Sequence, residues 1–455
     1  MKHVFSAMAV IGLAGCAVVD PYAAPEIAAQ SQFVGSASES LQSASTAQWW
    51  RDLEDPVLDH LVTLGLSQNL DIALALERIE AARANAARFG LQQQLSGTTS
   101  IDARARENSG VRSDEVTGRA DATFVFDLFG GIENAEAQGV AALEAAEFDA
   151  GVARLAFQGE LVSAYIQVRL AQSSQRITQA TIRSREETLA IIRQSLELQG
   201  ATQIDAARAT ADLATAQSAL PALVADEQLQ SFRLATLLNV PTDSVTGFLG
   251  GARAIPVPRR ESDAGIPADL LRNRPDIRAA ERRLAAASAA VGVAEAQLYP
   301  SLQVRGTVTG GDVSAWSLGP SLVLPIFNRT DLRADRDIAL SEARQAEIAY
   351  RQTYFAAVEE MQIALAQTEA RRAQIDSLVT ANAASERAVA LSTRSFETGL
   401  VAMGSVLDVE RTRLENSLAL VRGQAELANS WVRQQLAAGK GWAAAEPPER
   451  PAAAE

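Results

Sequence analysis

The sequence predicts a mixed, mainly α fold in which one helix, strand-pair, long-helix and return-helix unit occurs twice, and three observations carry that reading. First, a fixed spacing recurs: Asp71-Ile72 with Ala75 and Arg78, then Asp276-Ile277 with Ala280 and Arg283, about 205 residues later. Second, proline is absent between Pro56 and Pro221 and again between Pro325 and Pro447, so both intervals tolerate very long helices. Third, each copy carries two short stretches in which apolar and polar residues alternate, the period of a strand with two unlike faces. Composition agrees: 47% of the 455 residues are hydrophobic but only 5% are aromatic, which favours closely packed alanine-rich helices over a bulky core.

The elements follow in order. Residues 1–15 read as a secretory signal, with Lys2 and His3 before an apolar run from Val4 to Leu13 that is too short to span a bilayer as a helix. The run ends Leu13-Ala14-Gly15-Cys16, a bacterial lipobox, which marks Cys16 for acylation; Ala17, in place of Asp, directs such a protein to the outer membrane. Residues 16–48 are rich in Ala, Ser, Gln and Pro without a steady period and read as a flexible tether of roughly 100 Å reach. Trp49 and Trp50 then serve as packing anchors at the start of the first repeat, residues 49–240; a linker, 241–265, leads to the second, 266–438. The tail 439–455, with Pro447, Pro448 and Pro451 among alanines, is expected to be disordered.

In each repeat an Asp-Ile pair opens an alanine-rich helix of roughly six turns, its carboxylate suited to the positive helix N-terminus. Strands follow. Ile101, Ala103 and Ala105 alternate with Asp102, Arg104 and Arg106; Ala120, Ala122, Phe124 and Phe126 alternate with Arg119, Asp121 and Thr123. In the later copy Leu302, Val304 and Val308 alternate with Gln303, Arg305 and Thr307, and Trp316, Leu318 and Leu322 with Ser317, Gly319 and Ser321. Strands of about ten residues with these faces fit an outer-membrane barrel, and Phe126, Phe129, Tyr299 and Phe327 gather at the strand-helix junctions as an interfacial girdle requires. Four strands cannot close in lipid, because an open edge leaves unpaired backbone groups, so the chain must associate; counting permits a dimer or a trimer. Beyond the strands, roughly 65 to 70 residues run to Gly200 and to Gly399, about 100 Å if helical. The return helix carries a four-three seam at Leu407, Arg411, Leu414, Leu418, Val421, Ala425, Ala428 and Val432.

Several function classes are excluded. A net charge of −14 argues against nucleic acid. Two histidines and one cysteine leave almost nothing for a metal site or for histidine-based catalysis, and no phosphate-cradling loop or nucleophile elbow occurs, so neither enzyme nor cofactor is expected beyond a covalent lipid on Cys16.

The run Leu270-Leu271-Arg272-Asn273-Arg274-Pro275-Asp276-Ile277-Arg278, followed by Ala279-Ala280-Glu281 and ending Tyr299-Pro300-Ser301-Leu302, resembles the signature of the TolC-like outer-membrane efflux family, in its NodT-type lipoprotein branch. The resemblance extends from Trp49 to about Leu436. It implies a homotrimer, with a 12-stranded barrel in outer-membrane lipid above a helical tunnel in the periplasm. It also implies a periplasmic adaptor and an inner-membrane pump of the resistance-nodulation-division class as partners. The Gly399-to-Asp408 stretch matches the family's periplasmic entrance, so Asp408 takes the place of an inward-facing acidic residue; Ser405 stands where some members carry another acid. Gly200 and Gly399 mark the two hairpin turns, and Asp205 follows the first, one residue short of the family spacing. The family places glycine in the second strand-to-helix turn, whereas Asn328-Arg329-Thr330 stands here. Two rivals share much of this pattern: the duct of a one-step (type I) protein secretion system, and a periplasmic coiled-coil structural lipoprotein with a small soluble sheet.

Overall fold

The computed structural model describes residues 22–28, 30–34, 48–89, 94–108, 111–258, 265–311 and 314–443. The signal segment, Cys16 and the tail from 444 onward lie outside them. Trp49–Leu53 forms a 3-10 turn, followed by helices α1 (Pro56–Gln68) and α2 (Leu70–Ala86), then strands β1 (Leu95–Asn108) and β2 (Val111–Phe126). The long helix α3 (Gly131–Glu197) turns into α4 (Gln203–Leu238), and the short α5 (Thr242–Leu249) follows. The second half repeats the order as α6 (Pro267–Asn273), α7 (Pro275–Ala296), β3 (Ser301–Gly310), β4 (Ala315–Val323), α8 (Arg329–Glu397) and α9 (Met403–Ala437).

The duplication is visible as a drifting offset. The Asp-Ile pairs are 205 apart, whereas α3 and α8 begin 198 apart, because the first strands, of 14 and 16 residues, outrun the 10 and 9 of the second pair. The first pair thus exceeds the ten residues that alternation predicts. Helix α8 is then two residues longer than α3, 69 against 67, which brings the hairpin turns to an offset of 200. Asp71 lies in the first turn of α2, but the cap is Asn69, whose Oδ1 accepts from the N–H groups of Asp71 at 3.0 Å and Ile72 at 3.1 Å. In α7 proline occupies the first helical position and Asp276 the first turn. Pro221 lies inside α4.

Compact packing divides the chain into two units. The first comprises Leu76–Asp149 and Asp276–Thr353 with the N-terminal residues up to Ala28. Its four strands form one antiparallel sheet in the order β1-β2-β3-β4, leaving β1 and β4 as edges. The helices beside it are clamped by ion pairs from α7 to α3, Arg282 to Glu144 at 3.1 Å and Arg283 to Asp149 at 2.5 Å. Tyr22 donates its hydroxyl proton to Glu281 at 3.1 Å, so the segment expected to be a free tether is pinned at this point. Burial beside that carboxylate pushes the Tyr22 hydroxyl well above its ordinary range. The two exits from sheet to helix differ. Gly130 takes φ +75°, and Asp127 caps α3 by accepting from Ile132 and Glu133, while Asn328 keeps an ordinary negative φ. Of the expected aromatic girdle, Phe129 and Tyr299 stack on each other at 4.7 Å, and Phe327 is fully exposed.

The second unit comprises Ala29–Ala75, Ala150–Pro275 and Tyr354–Glu455. Its core joins Trp49 and Trp50 to Leu58 and Leu61 of α1, Leu161 and Ile166 of α3, Leu234 and Leu238 of α4, and Trp431 of α9. Phe33, also within the expected tether, is buried. A polar chain crosses this core: Tyr165 donates to Asp55 at 2.5 Å, and the fully buried Arg169 donates to Tyr165, Gln172 and the Leu249 carbonyl. The predicted seam on α9 holds at Leu407, Ala425, Ala428 and Val432, but Arg411 is exposed and Glu410 and Ser417 are buried instead. Helix α9 buries a stripe wider than a two-helix seam, running through Val406, Leu407, Glu410 and Ser417, as a helix with several neighbours does. Ordered chain also continues beyond Gly439, where the tail was expected to begin. Gly439 takes φ +68° and passes so close to Asn273 that a Cβ there would lie 2.5 Å from its carbonyl oxygen. Trp442 donates to that same oxygen at 2.6 Å, and Gln158 donates to the Gly441 carbonyl. The signature run around Asn273-Arg274-Pro275 is therefore the seat of a C-terminal strap.

Candidate functional site

Two features carry functional geometry, the faces of the sheet and the ends of the helical hairpins. The register of the sheet sorts its residues without ambiguity. Ile101 pairs with Gly118, Ala120 with Val308, Val308 with Trp316, and Gly306 with Leu318, so one face is apolar from the helix-proximal strand ends up to Ile101 and Val116 apart from Thr99. It turns charged, with Asp114 and Glu107, only at the far end of β1 and β2. No helix among the described residues covers it: Ile101 is 78%, Trp316 79% and Leu318 69% exposed. That is the opposite of a soluble sheet, whose apolar face is packed away from water. The other face carries Asp102, Arg104, Glu115, Thr117, Arg119, Asp121, Arg305 and Thr307. There Arg119 grips Asp121 with two hydrogen bonds of 2.7 and 2.8 Å, and Thr307 donates to Asp121 across the strands at 2.8 Å. The alternation in the sequence already contained these residues; only the register shows which of them meet.

At the hairpin ends both long helices stop in the same way. The N–H of Gly200 bonds the carbonyl of Ser195, and the N–H of Leu400 bonds that of Ser395, each at 2.8 Å. The residue before each of these adopts the left-handed conformation, Gln199 with φ 61° and Gly399 with φ 72°. Gly399 is thus the counterpart of Gln199, and Gly200 that of Leu400. The two glycines do not occupy matching positions. At an offset of 200, Asp205 corresponds to Ser405, and Asp408 to Arg208. The two aspartates are therefore not symmetry mates, as their shared position after a glycine suggests.

Their surroundings differ accordingly. Asp205 closes a capping box on α4: its N–H donates to Thr202 Oγ1 at 3.2 Å, while its carboxylate accepts from the Thr202 hydroxyl at 2.6 Å and backbone at 3.0 Å. These hydrogen bonds, from the hydroxyl first and the backbone N–H second, hold its carboxyl below the usual range. Asp408 caps nothing. It lies in the second turn of α9 with its side chain 71% exposed and accepts from Arg411 at 3.1 Å. Ser405 is exposed in the first turn. Beside them, Met403, Val406 and Leu407 of α9 pack on Leu189 and Ile192 of α3 and Ala209 of α4, so the two hairpin ends lie together. Arg208 of the first hairpin reaches over Gly404 of the second. Leu198, Ile204 and Leu400 stand exposed at the turns.

A family model for outer membrane efflux proteins matches residues 32–240 and 266–440. The chain belongs to this outer membrane efflux protein family. Nodulation protein T of Rhizobium leguminosarum bv. trifolii is similar to it at 31% identity over 94% of this chain and 95% of that protein. The outer membrane protein OprJ of Pseudomonas aeruginosa is 28% identical over 94% of both. Among solved structures, the outer-membrane channel OprN superposes with a TM-score of 0.84 and 31% identity over 94% of this chain and all of that one. This efflux protein is accordingly the outer-membrane channel component of a tripartite efflux system, with the TolC-like architecture of helical tunnel and β-barrel. Such channels work with an adaptor and a pump of the resistance-nodulation-division class. The uncovered apolar sheet face is the surface a channel in the outer membrane presents to lipid. No helix among the described residues is long and apolar enough to cross a membrane. His60 rests edge-on against Phe248.

Proposed function

We propose that three copies of the chain close a 12-stranded barrel, each β1 edge pairing with the β4 edge of the next copy, above a tunnel of long helices that crosses the periplasm. The observation that supports this most strongly is the sheet itself: four strands, two open edges and a bare apolar face have no stable place in water or lipid until the edges are closed. The assembly is a passive conduit for drugs or other small molecules, anchored by a lipid on Cys16 and driven by its pump. Its periplasmic entrance is the ring of hairpin ends, where exposed Leu198 and Leu400 meet the adaptor and Asp408 lines the aperture. Asp205, engaged with Thr202, stabilises its hairpin instead of lining the pore. Partner contact shifts the hairpins from closed to open. The test is conductance in planar bilayers: Asp408→Ala raises or destabilises the conductance of the resting channel, and unchanged conductance with unchanged cation preference refutes the entrance role.

A further inference from the structure

We infer that Arg305 forms an anion-selecting ring at the periplasmic mouth of the barrel, so that the membrane section favours solutes bearing a carboxylate, phosphate or sulfonate. The inference rests on the trimeric barrel proposed above and adds a specificity-determining residue to it. The register places Arg305 on the polar face, between Thr123 of β2 and Gly319 of β4. From that level toward the strand ends that lead into helices, the polar face of the strands holds Ser96, Val125, Gln303, Ser321, Ser301 and Val323, none of them charged, and the one acid just past β2, Asp127, is engaged by the N–H groups of Ile132 and Glu133. On the other side the nearest acid is Asp121. It is already held by two hydrogen bonds from Arg119 and one from Thr307.

Farther along, Asp102 and Arg104 of β1 lie 3.9 Å apart. Arg305, by contrast, makes no hydrogen bond and no ion pair among the described residues, and its guanidinium is exposed. Across from it Gly319 has no atom within 4 Å of the place its Cβ would take, so the polar side is open beside Arg305. Asp121 feels the charge of Arg305 as well as its bonds from Arg119, and the two arginines leave that cluster net positive; three such clusters, one from each copy, put a net positive ring at one level of the lumen. A ring of like charge in a confined aqueous passage concentrates counter-ions and rejects co-ions, as long as the Debye length, about 10 Å at 0.1 M salt, is comparable to the passage.

The experiment uses the full-length protein in planar bilayers under a potassium chloride gradient centred near 0.1 M. In Arg305→Ala the chloride-to-potassium permeability ratio falls about threefold, in Arg305→Glu it falls further, and in Arg305→Lys it is retained. The differences vanish at about 1 M salt, where the Debye length is near 3 Å. Asp408, in series at the entrance, is unchanged in every variant and cancels from the comparison. Equal ratios in the wild type, the alanine and the glutamate variants would overturn the inference while leaving the conduit intact. A wild-type protein that runs as a monomer and opens no pore would overturn the barrel itself. Orientation is tested separately with Gly319→Cys, practical because Cys16 is the only native cysteine. A sulfonate-bearing methanethiosulfonate reacts there several-fold faster than a trimethylammonium one, and Arg305→Ala abolishes the preference; equal rates with Arg305 present would refute the ring.

Discussion

Replacing Arg169 by methionine removes the charged hub of the second unit's core while keeping most of its volume. Arg169 is fully buried and donates to the Leu249 carbonyl at 3.0 Å, to Gln172 Oε1 at 2.7 Å, to the Gly251 carbonyl at 3.3 Å and to the Tyr165 hydroxyl at 3.0 Å. The Leu249 carbonyl ends α5, so its bond also fixes where the chain leaves that helix. Each buried acceptor left without a donor costs about 1–3 kcal/mol, and Leu249 O, Gln172 Oε1 and the Tyr165 hydroxyl are all exposed to that loss. Relief from burying a guanidinium offsets part of it. The expected net is therefore about 3–5 kcal/mol, the usual cost of breaking a buried charged network from one side. Loss of helicity in guanidinium chloride, followed by circular dichroism on the detergent-extracted protein, reads it directly as a lower midpoint at unchanged slope. A midpoint shift worth less than about 1 kcal/mol would show that the network is replaceable by packing, and the reasoning from unsatisfied acceptors would fail.

Two other outcomes follow from local geometry. Trp442→Ala removes the indole that packs over Gly151 and bonds the Asn273 carbonyl; it is expected to cost about 2 kcal/mol and to speed tryptic cleavage after Arg272, whereas unchanged cleavage would mean the strap is not seated there. Thr202→Ala opens the capping box and costs about 0.5–2 kcal/mol at neutral pH. Because the folded carboxyl of Asp205 titrates below its ordinary value of 3.8, the bonus is complete above that value and is lost as pH falls through the lower folded one. The wild-type advantage over Thr202→Ala should therefore shrink only below about pH 4; an advantage that fades between pH 5 and 8 would point to another group.

What the sequence disclosed follows from which signals are local. Period-two alternation placed the residues on two faces of four strands, because side chains alternate across a strand whatever its partners. The repeat spacing disclosed the duplication for the same reason. Lengths of β1 and β2 were less legible, since the stretch from Val111 to Thr117 includes Asp114 and Glu115, whose charges obscure the alternation. The capping role of Asn69 was hidden by Asp71 two residues on, both being good partners for a helix start. The strap was hidden because Gly439, Gly441 and Trp442 read as tail composition, and only the fold brings them to Asn273 and Gln158. The seam on α9 failed at Arg411 because a heptad reading assumes one partner helix, and the helix has several.

The hairpin ends show how a glycine misleads a symmetry argument. Helix ends are commonly matched by their glycines, yet here the backbone places Gln199, not Gly200, in the left-handed position that Gly399 fills in the second repeat. Once that single residue is shifted, the acidic pair dissolves. Asp205 falls opposite the uncharged Ser405, and Asp408 falls opposite Arg208. The duplication has thus diverged to opposite charge at the position of Asp408. In a three-fold assembly of paired hairpins this converts an approximately six-fold ring of equal ends into one with three acidic and three basic positions. Opposite charges at alternating hairpins attract where six like charges would repel, so in the trimer proposed above the divergence would favour a closed resting entrance over an open one. Arg208→Asp would restore like charge around the ring, and it should therefore open the resting channel more strongly than removal of Asp408 does.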